Sequence, residues 1–593
     1  MEKQLFTGQN SFRGLQEAIE AVIQYSDDDD CDLAIIPPEP SALTDDEEGA
    51  DEDMTTVCMP QDVPGTLEIF THRDNSVHED SSYDDSDDEP LASKRKRPNS
   101  TRESVSNVAP TWRKCAPSYS SAPQRTSQVS EKKNNVCEEL KNLNPVQIFE
   151  KLFDDDIVDL IASNSTLYAN QHNRHEFELV PCDLKKFIGI LILSGYHKLP
   201  REPMYWSLDE DIGVELVSKA MSRHKFRDIK RNLHLVNNDL AGTSNDKMFK
   251  IRPLADKLME KFLQWGVFHD SISVDESMVK YFGHHPAKQF IRGKPVRFGY
   301  KNWVAASSTG YCYSFDFYCG KSQSQTSDPL GSRVVKSLLE KLNCTPANHE
   351  VFFDNFFTSY DLLLELKSLG YRATGTVREN RTKKCPLTST KEMKKKERAS
   401  YDYRFDKNGE ILLVRWKDNS VCTMATNYDA IEPFGTVKRW CPIKKDKTDV
   451  AIPRLFQTYN KNMGGVDELD QSISLYRVAV HGKKWWWVLF TYMLDMTVAN
   501  AWRLHVMSHD NPMDQLTFRR HIARYYLRQG QRKSRQAASI VEGLPQDGVG
   551  HYPMKIDKPL RCYDVIDHHH ISRKTFAKHR PPPMTVDDVI ERK

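Results

Sequence analysis

No apolar run in the 593-residue sequence approaches the roughly 18 residues that a membrane-spanning helix needs; the longest, Phe187–Leu193 and Trp485–Phe490, are far shorter. The opening MEKQLFTGQN carries no apolar core of signal-peptide length. Paired cysteines are missing too: twelve Cys lie scattered without a CxxC, Cys312 and Cys319 being the closest two. That pattern predicts reduced thiols in a cytosolic or nuclear protein and argues against a Cys-rich zinc site. Net charge is the third absence, since 83 basic side chains balance 83 acidic ones. The balance is not local. Residues 1–90 hold 26 Asp+Glu against 3 Lys+Arg, or −23, and the remainder holds 80 Lys+Arg against 57 Asp+Glu, or +23. An acidic tail on a basic body is the asymmetry of a nucleic-acid binder; neither a membrane nor a small-molecule substrate is expected as its partner.

Composition divides the chain into seven parts. Residues 1–135 carry acidic runs (Asp27–Asp30, Asp45–Asp53, Asp84–Glu89), many Ser and Pro and little periodicity, which predicts a disordered acidic tail. Within it, Lys94-Arg95-Lys96-Arg97 reads as a nuclear import signal, or as counter-charge to the acidic run beside it. Residues 136–270 are mostly helical: Val146, Phe149, Leu152, Phe153, Ile157 and Leu160 fall at helical spacing behind Pro145, and further stretches follow at 183–195, 213–235 and 246–266. Over 271–375 the runs SISVDE, NWVAASS, YCYSFDFYC, HEVFFDNFF and YRATGTVR read as strands, with helices at 332–342 and 360–369, a mixed α/β core. Residues 376–455 read as an inserted β-rich subdomain, with YDYRF and EILLVRW joined across a Lys-Asn-Gly turn, then SVCTMAT. Helical patterns return at 456–475 and 476–535, and 536–593 fade into an unstructured end.

Three acids stand out by context. Asp275 ends the apolar SISVD, Asp354 ends VFFD, and Asp467 opens GGVDELDQ with Asp470 on the same helix face. Two carboxylates at neighbouring strand ends and a third on a packed helix suit two Mg²⁺ (or Mn²⁺) ions, hard cations that take oxygen ligands and substrate phosphate together. Asp also caps helices and turns chains, so the same positions have an ordinary structural reading.

Longer motifs narrow the choice. SVDESMVKYFGHHPAKQFIRGKPVRFGYKNW, VFFDNFFTSYDLLLELKSLGYRATGTVREN and YNKNMGGVDELDQSISLYR together resemble the piggyBac transposase family, most closely the piggyBac transposable element-derived proteins of animals. NPVQIFEKLF, GILILSGYHKLPREPMYWS and SRHKFRDIKRNLHLVNND resemble that family's leading helical region, and the likeness spans about residues 140–530. The resemblance implies an RNase H-like catalytic core interrupted by an insertion, of α/β plus α class, with 136–270 and 476–535 as flanking DNA-binding and dimerisation blocks. It also implies that Asp275, Asp354 and Asp467 are catalytic metal ligands and Asp470 a further required acid. The implied activity is excision of DNA through a hairpin intermediate and insertion at TTAA, by a nuclear homodimer acting on terminal inverted repeats.

Basic and aromatic groups would supply the grip on double-stranded DNA. Lys288, Arg292, Lys294 and Arg297 follow the first acid; Arg378, Arg381, Lys383 and Lys384 open the insertion; Lys483, Lys484 and Trp485 follow the third acid. Cations on phosphates fix register without reading sequence, and Trp485 could stack on an unpaired base where Trp486 and Trp487 read as core. Arg519, Arg520, Arg524, Arg528, Arg532, Lys533 and Arg535 form a run without alternating acids, which favours DNA over a solvated helix face. One departure stands against the resemblance. The family's terminal zinc module would begin at Cys562, yet no Cys follows it, and no structural zinc is expected. A transposase with its three acids and a retired, catalytically inactive DNA-binding descendant are therefore the two readings.

Overall fold

The computed structural model describes residues 11–12, 31–36, 66–71, 109–120 and 128–529, except 267–268, 284, 292–295, 297, 321–327 and 442–444. In the acidic tail β1 (Ser11–Phe12), β2 (Cys31–Ile36) and β3 (Thr66–Thr71) pair antiparallel in the order β1-β3-β2. The runs CDLAII and TLEIFT thus carry strand structure inside a region whose charge predicts none. The import cluster at 94–97 and everything after 529 lie outside the described residues. The short β4 (Trp112–Arg113) precedes the helical part, whose first helix, α1 (Gln128–Leu140), starts ahead of the expected boundary near 135.

Local signals set the helix ends. α2 (Pro145–Leu152) opens on a capping box: Asn144 Oδ1 accepts from the amides of Val146 and Gln147, and Gln147 Oε1 accepts from the Asn144 amide at 3.0 Å. α3 (Asp155–Gln171) is capped by Asp154. α4 (Pro181–Tyr196), α5 (Glu215–Ala220), α6 (Arg223–Asn232) and α7 (Arg252–Trp265) complete the block expected from periodicity.

Nine strands from 271 onward, joined at one edge by β4, build one ten-stranded mixed sheet. β5 (Ser271–Lys280), β6 (Lys288–Phe290), β7 (Phe298–Ser307) and β8 (Cys312–Phe317) are antiparallel neighbours, with β6 and β8 sharing one edge of β7. After α8 (Leu330–Leu342), β9 (Glu350–Phe353) pairs parallel to β5; after α9 (Tyr360–Ser368), β10 (Arg372–Thr376) pairs parallel to β9. The insertion does not form a separate sheet. Following α10 (Thr390–Lys395), the strands β11 (Tyr401–Asp406), β12 (Ile411–Lys417) and β13 (Val421–Thr426) continue the sheet, because β13 pairs antiparallel with β10. Only the hairpin β14 (Gly435–Cys441) and β15 (Asp446–Ile452) stands apart.

Helices cover both faces of the sheet. α8 and α9 lie on one; α11 (Arg454–Asn462), α12 (Gly465–Leu475) and α13 (Trp487–Ser508) lie on the other. α13 is apolar all round and buries 16 of its 22 residues, the signature of a central helix. Asn500 on it pins β8, accepting from the Cys312 amide at 2.8 Å and donating to the Cys312 carbonyl at 2.9 Å. α14 (Gln515–Arg528) packs on α4, where Gly189 leaves room for the Cβ of Tyr526. The described parts of the two helical blocks, 136–270 and 476–529, distant in sequence, therefore share one core. All eight cysteines whose side chains are described are free thiols, and no described helix is long and apolar enough to cross a membrane.

Candidate active site

The register of three strands brings the first two acids together. Val274 pairs with Phe353 in the parallel β5–β9 ladder, so the next step along both strands sets Asp275 beside Asp354. Asp275 does not end its strand as expected from SISVD. It is the fifth of ten residues, because β5 continues to Lys280 against β7 after β9 has stopped. Asp354 does follow the last residue of β9, and the chain turns there: Asp354 Oδ1 accepts from the Phe356 amide at 2.9 Å, and the Thr358 hydroxyl donates to the Asp354 carbonyl at 2.7 Å. Alternation puts Asp275 and Asp354 on the sheet face that carries Ser273 and Ser277.

α12 is pressed onto that face by two contacts. Ser273 Oγ donates to the Met463 carbonyl just before the helix. A Cβ on Gly465 would lie 2.1 Å from the Ser307 carbonyl oxygen and 3.2 Å from Ser273 Cβ, so only glycine allows this approach. Asp467 follows in the first turn, exposed, and Asp470 stands one turn on. Asp470 Oδ1 accepts from Ser277 Oγ at 2.6 Å, and the Ser277 hydroxyl lies 2.8 Å from that of the buried Tyr492. Asp470 thereby ties α12 to β5 and, through Ser277, to α13. Ser277 and Gly465 are site residues that the sequence reading missed; a second Gly directly before the VDELD pattern was the available signal.

Gly465→Ala is expected to cost about 1–3 kcal/mol of stability, as overpacking does. Gly464→Ala, where a Cβ meets nothing within 4 Å, should cost less than about 1 kcal/mol, the difference between Gly and Ala at a helix N-cap. Denaturant midpoints of the two variants test this; equal losses would mean that α12 is not held by close approach.

The carboxylates fit a divalent cation in donor type: hard oxygens on adjacent strand positions, with more acids on the helix laid over them. Their side chains do not converge on one point, and among the described residues no three His, Cys, Asp or Glu are grouped tightly enough to hold a metal ion. A cavity of about 570 Å³, lined in part by Ser271, Glu350, Asp429 and Arg454, opens at the opposite ends of β5 and β9 and not at the acids.

The expected DNA-contacting groups divide. Arg378 and Arg381 brace the loop after Asp354: Arg378 Nε donates to Asn355 Oδ1 at 3.3 Å, and Arg381 donates to the carbonyls of Asn355 and Phe356 at 3.2 and 2.6 Å. Lys383 pairs with Asp361 at 2.9 Å, and Lys383 and Lys384 are both exposed. Lys288 donates to the Gly283 carbonyl at 3.1 Å, with burial drawing its pKa down; Arg292, Lys294 and Arg297 lie outside the described residues. Lys483 is half-buried. Lys484 closes the C-terminus of α6, donating to the carbonyls of Arg231 and Leu233 at 2.9 and 3.0 Å, a favourable place for a cation. Half-buried Trp485 stacks on the buried ring of His285, centroids 3.9 Å apart, while Trp486 and Trp487 are buried in the core. On α14, Arg520, Arg524 and Arg528 are exposed, but Arg519 is fully buried against Asp495, so the basic run is not one surface.

Comparison with known proteins agrees over most of this chain. The Transposase IS4 family profile matches residues 144–502, more than half of the sequence. PiggyBac transposable element-derived protein 3 of Homo sapiens is 36% identical over 553 residues, covering 89% of this chain and 91% of that protein. PiggyBac transposable element-derived protein 2 of Homo sapiens is 37% identical over 436 residues, covering 72% and 73% respectively. Among solved structures, a piggyBac transposase synaptic complex with hairpin DNA shares the fold, with a TM-score of 0.57 at 20% identity over 68% of this chain and 84% of that one.

Proposed function

We infer the function from the fact that this chain belongs to the piggyBac transposase family: it is a nuclear DNA transposase that cleaves and transfers strands at TTAA. The observation that carries this reading is the β5–β9 register, which sets Asp275 beside Asp354 under the first turn of α12 with its Asp467. The strand order β8-β7-β5-β9-β10, with only the last three parallel, supports an RNase H-like core that the insertion extends at its edge.

Asp275, Asp354 and Asp467 would hold two Mg²⁺ or Mn²⁺ ions, with Asp470 positioning α12. Such ions activate the attacking oxygen and stabilise the leaving one in phosphodiester displacement. In the first step a water oxygen bonds to phosphorus, the P–O3′ bond breaks, and the departing O3′ takes up a proton; the freed 3′-hydroxyl repeats the exchange on the opposite strand. The chain's part is placement. Arg378 and Arg381 hold the loop that carries Asp354, and exposed Lys383 and Lys384 offer charge to the backbone phosphates beyond it. The helical blocks would clamp duplex ends in a homodimer, and Lys94–Arg97 would direct the chain to the nucleus.

The test is incubation of the full chain with a TTAA-tipped hairpin duplex in Mg²⁺ or Mn²⁺. Strand opening that chelator abolishes is the expected result. Tight binding without cleavage in either metal would overturn the enzymatic reading and leave a DNA-binding protein. Specific binding should also outlast salt better than contact by basic patches alone, which falls steeply with ionic strength.

A further inference from the structure

Tyr459 stands on α11 four residues before Met463, where the chain crosses the sheet face that bears the acids. Its ring meets Phe352 edge-on, with centroids 6.5 Å apart. Phe352 lies two residues before Asp354 and so on the same face. On the neighbouring strand Gly375 pairs with Phe353, which puts Thr376 beside Asp354. The ring thus lies on the sheet face that carries Asp275, Asp354 and Thr376. A phenol ordinarily titrates at about 10 and keeps its proton at neutral pH.

We propose that Tyr459 is a catalytic residue of this centre, its phenol O–H donating a hydrogen bond to a non-bridging oxygen of the scissile phosphate. The proposal rests on the reading of the acids given above. A phenol suits the place chemically. A lysine there would be drawn into an ion pair with the two carboxylates, whereas a neutral O–H stays available to an anion that arrives with its own counter-ions. The edge contact with Phe352 holds the ring, so the donor is oriented before substrate comes, which is the condition for a donor to act on the transition state.

The test uses the full chain and a TTAA-tipped hairpin duplex with phosphorothioate of defined configuration at the scissile phosphate. Tyr459→Phe keeps the ring on Phe352 and removes only the donor. Its single-turnover cleavage should fall about 100-fold, as on losing one oxyanion donor, with DNA Kd within twofold of wild type. Sulfur in place of the contacted oxygen should slow the wild type but leave the Tyr459→Phe rate unchanged, the non-additivity of groups that touch. A second readout needs only the wild type. Sulfur at a metal-bound oxygen is rescued by thiophilic Mn²⁺, so the diastereomer that meets the phenol should be the one Mn²⁺ fails to rescue. Cleavage by Tyr459→Phe within threefold of wild type, or Mn²⁺ rescue of both diastereomers, would sink the proposal while the transposase reading stands. No cleavage of the all-oxygen duplex by wild type sinks both.

Discussion

Replacement of Asp354 by Asn is expected to slow strand cleavage about 10³-fold, the upper range for losing one charged group of a preorganised site, while DNA binds as tightly or more tightly. The sign of the binding change follows from charge. Without metal, the Asp275 and Asp354 carboxylates face an incoming phosphate and repel it, so removing one lowers that repulsion. The fold should be indifferent, because the Asn side-chain oxygen can still accept from the Phe356 amide that holds the turn after β9. Asp275→Asn should behave alike, keeping the contact from the Glu276 amide now at 2.8 Å. Single-turnover rate, DNA Kd by anisotropy and thermal midpoint, taken together, decide the matter. Cleavage within tenfold of wild type would remove Asp354 from the chemistry. A collapse of affinity and midpoint would make it a structural turn residue, the ordinary reading of an Asp after a strand.

The contrast between Asp354 and Asp275 shows what one dimension can reveal. VFFD ends where its apolar run ends, and so does β9. SISVD reads as ending at its acid, yet the ESMVK that follows pairs with β7 through Lys280. Pairing on one edge suffices to keep a strand extended, and no periodicity announces a partner. The same limit hid the insertion's place: YDYRF, EILLVRW and SVCTMAT are strands as expected, but that β13 closes onto β10 is a fact of long-range register. Lys484 looked like a free cation in a basic cluster because its partners, the last carbonyls of α6, are some 250 residues away. Arg519 was legible in principle. It shares helical spacing with Phe518, Ile522, Ala523 and Tyr526, all buried, and the lone acid in the apolar stretch of α13 was its natural partner.

That pair carries the second large prediction: Asp495→Ala should cost about 3–5 kcal/mol, the loss typical of breaking a buried ion pair from one side. Asp495 and Arg519 are both fully buried. Every oxygen of the carboxylate is engaged: Oδ1 takes the Arg519 guanidinium, and Oδ2 accepts from Arg477 and from the Val478 amide, each at 3.0 Å. Arg519 has no comparable reserve, since its Nε and a second guanidinium nitrogen find no partner in the protein. Removing Asp495 therefore strands a positive charge in the core, whereas Arg519→Met keeps the volume and strands nothing charged, because Arg477 still meets Asp495. The expected order of denaturant midpoints is wild type, then Arg519→Met, then Asp495→Ala well below both. The loss should also reach function, for Arg477 and Val478 directly follow the segment that leaves α12, and Asp495 is their anchor on α13. Loosening it frees the helix that bears Asp467 and Asp470, so cleavage should fall in Asp495→Ala even at temperatures where the chain remains folded. Equal midpoints for the two variants would mean that water or rearrangement compensates the orphaned guanidinium, and the seat of α12 would then not depend on Asp495.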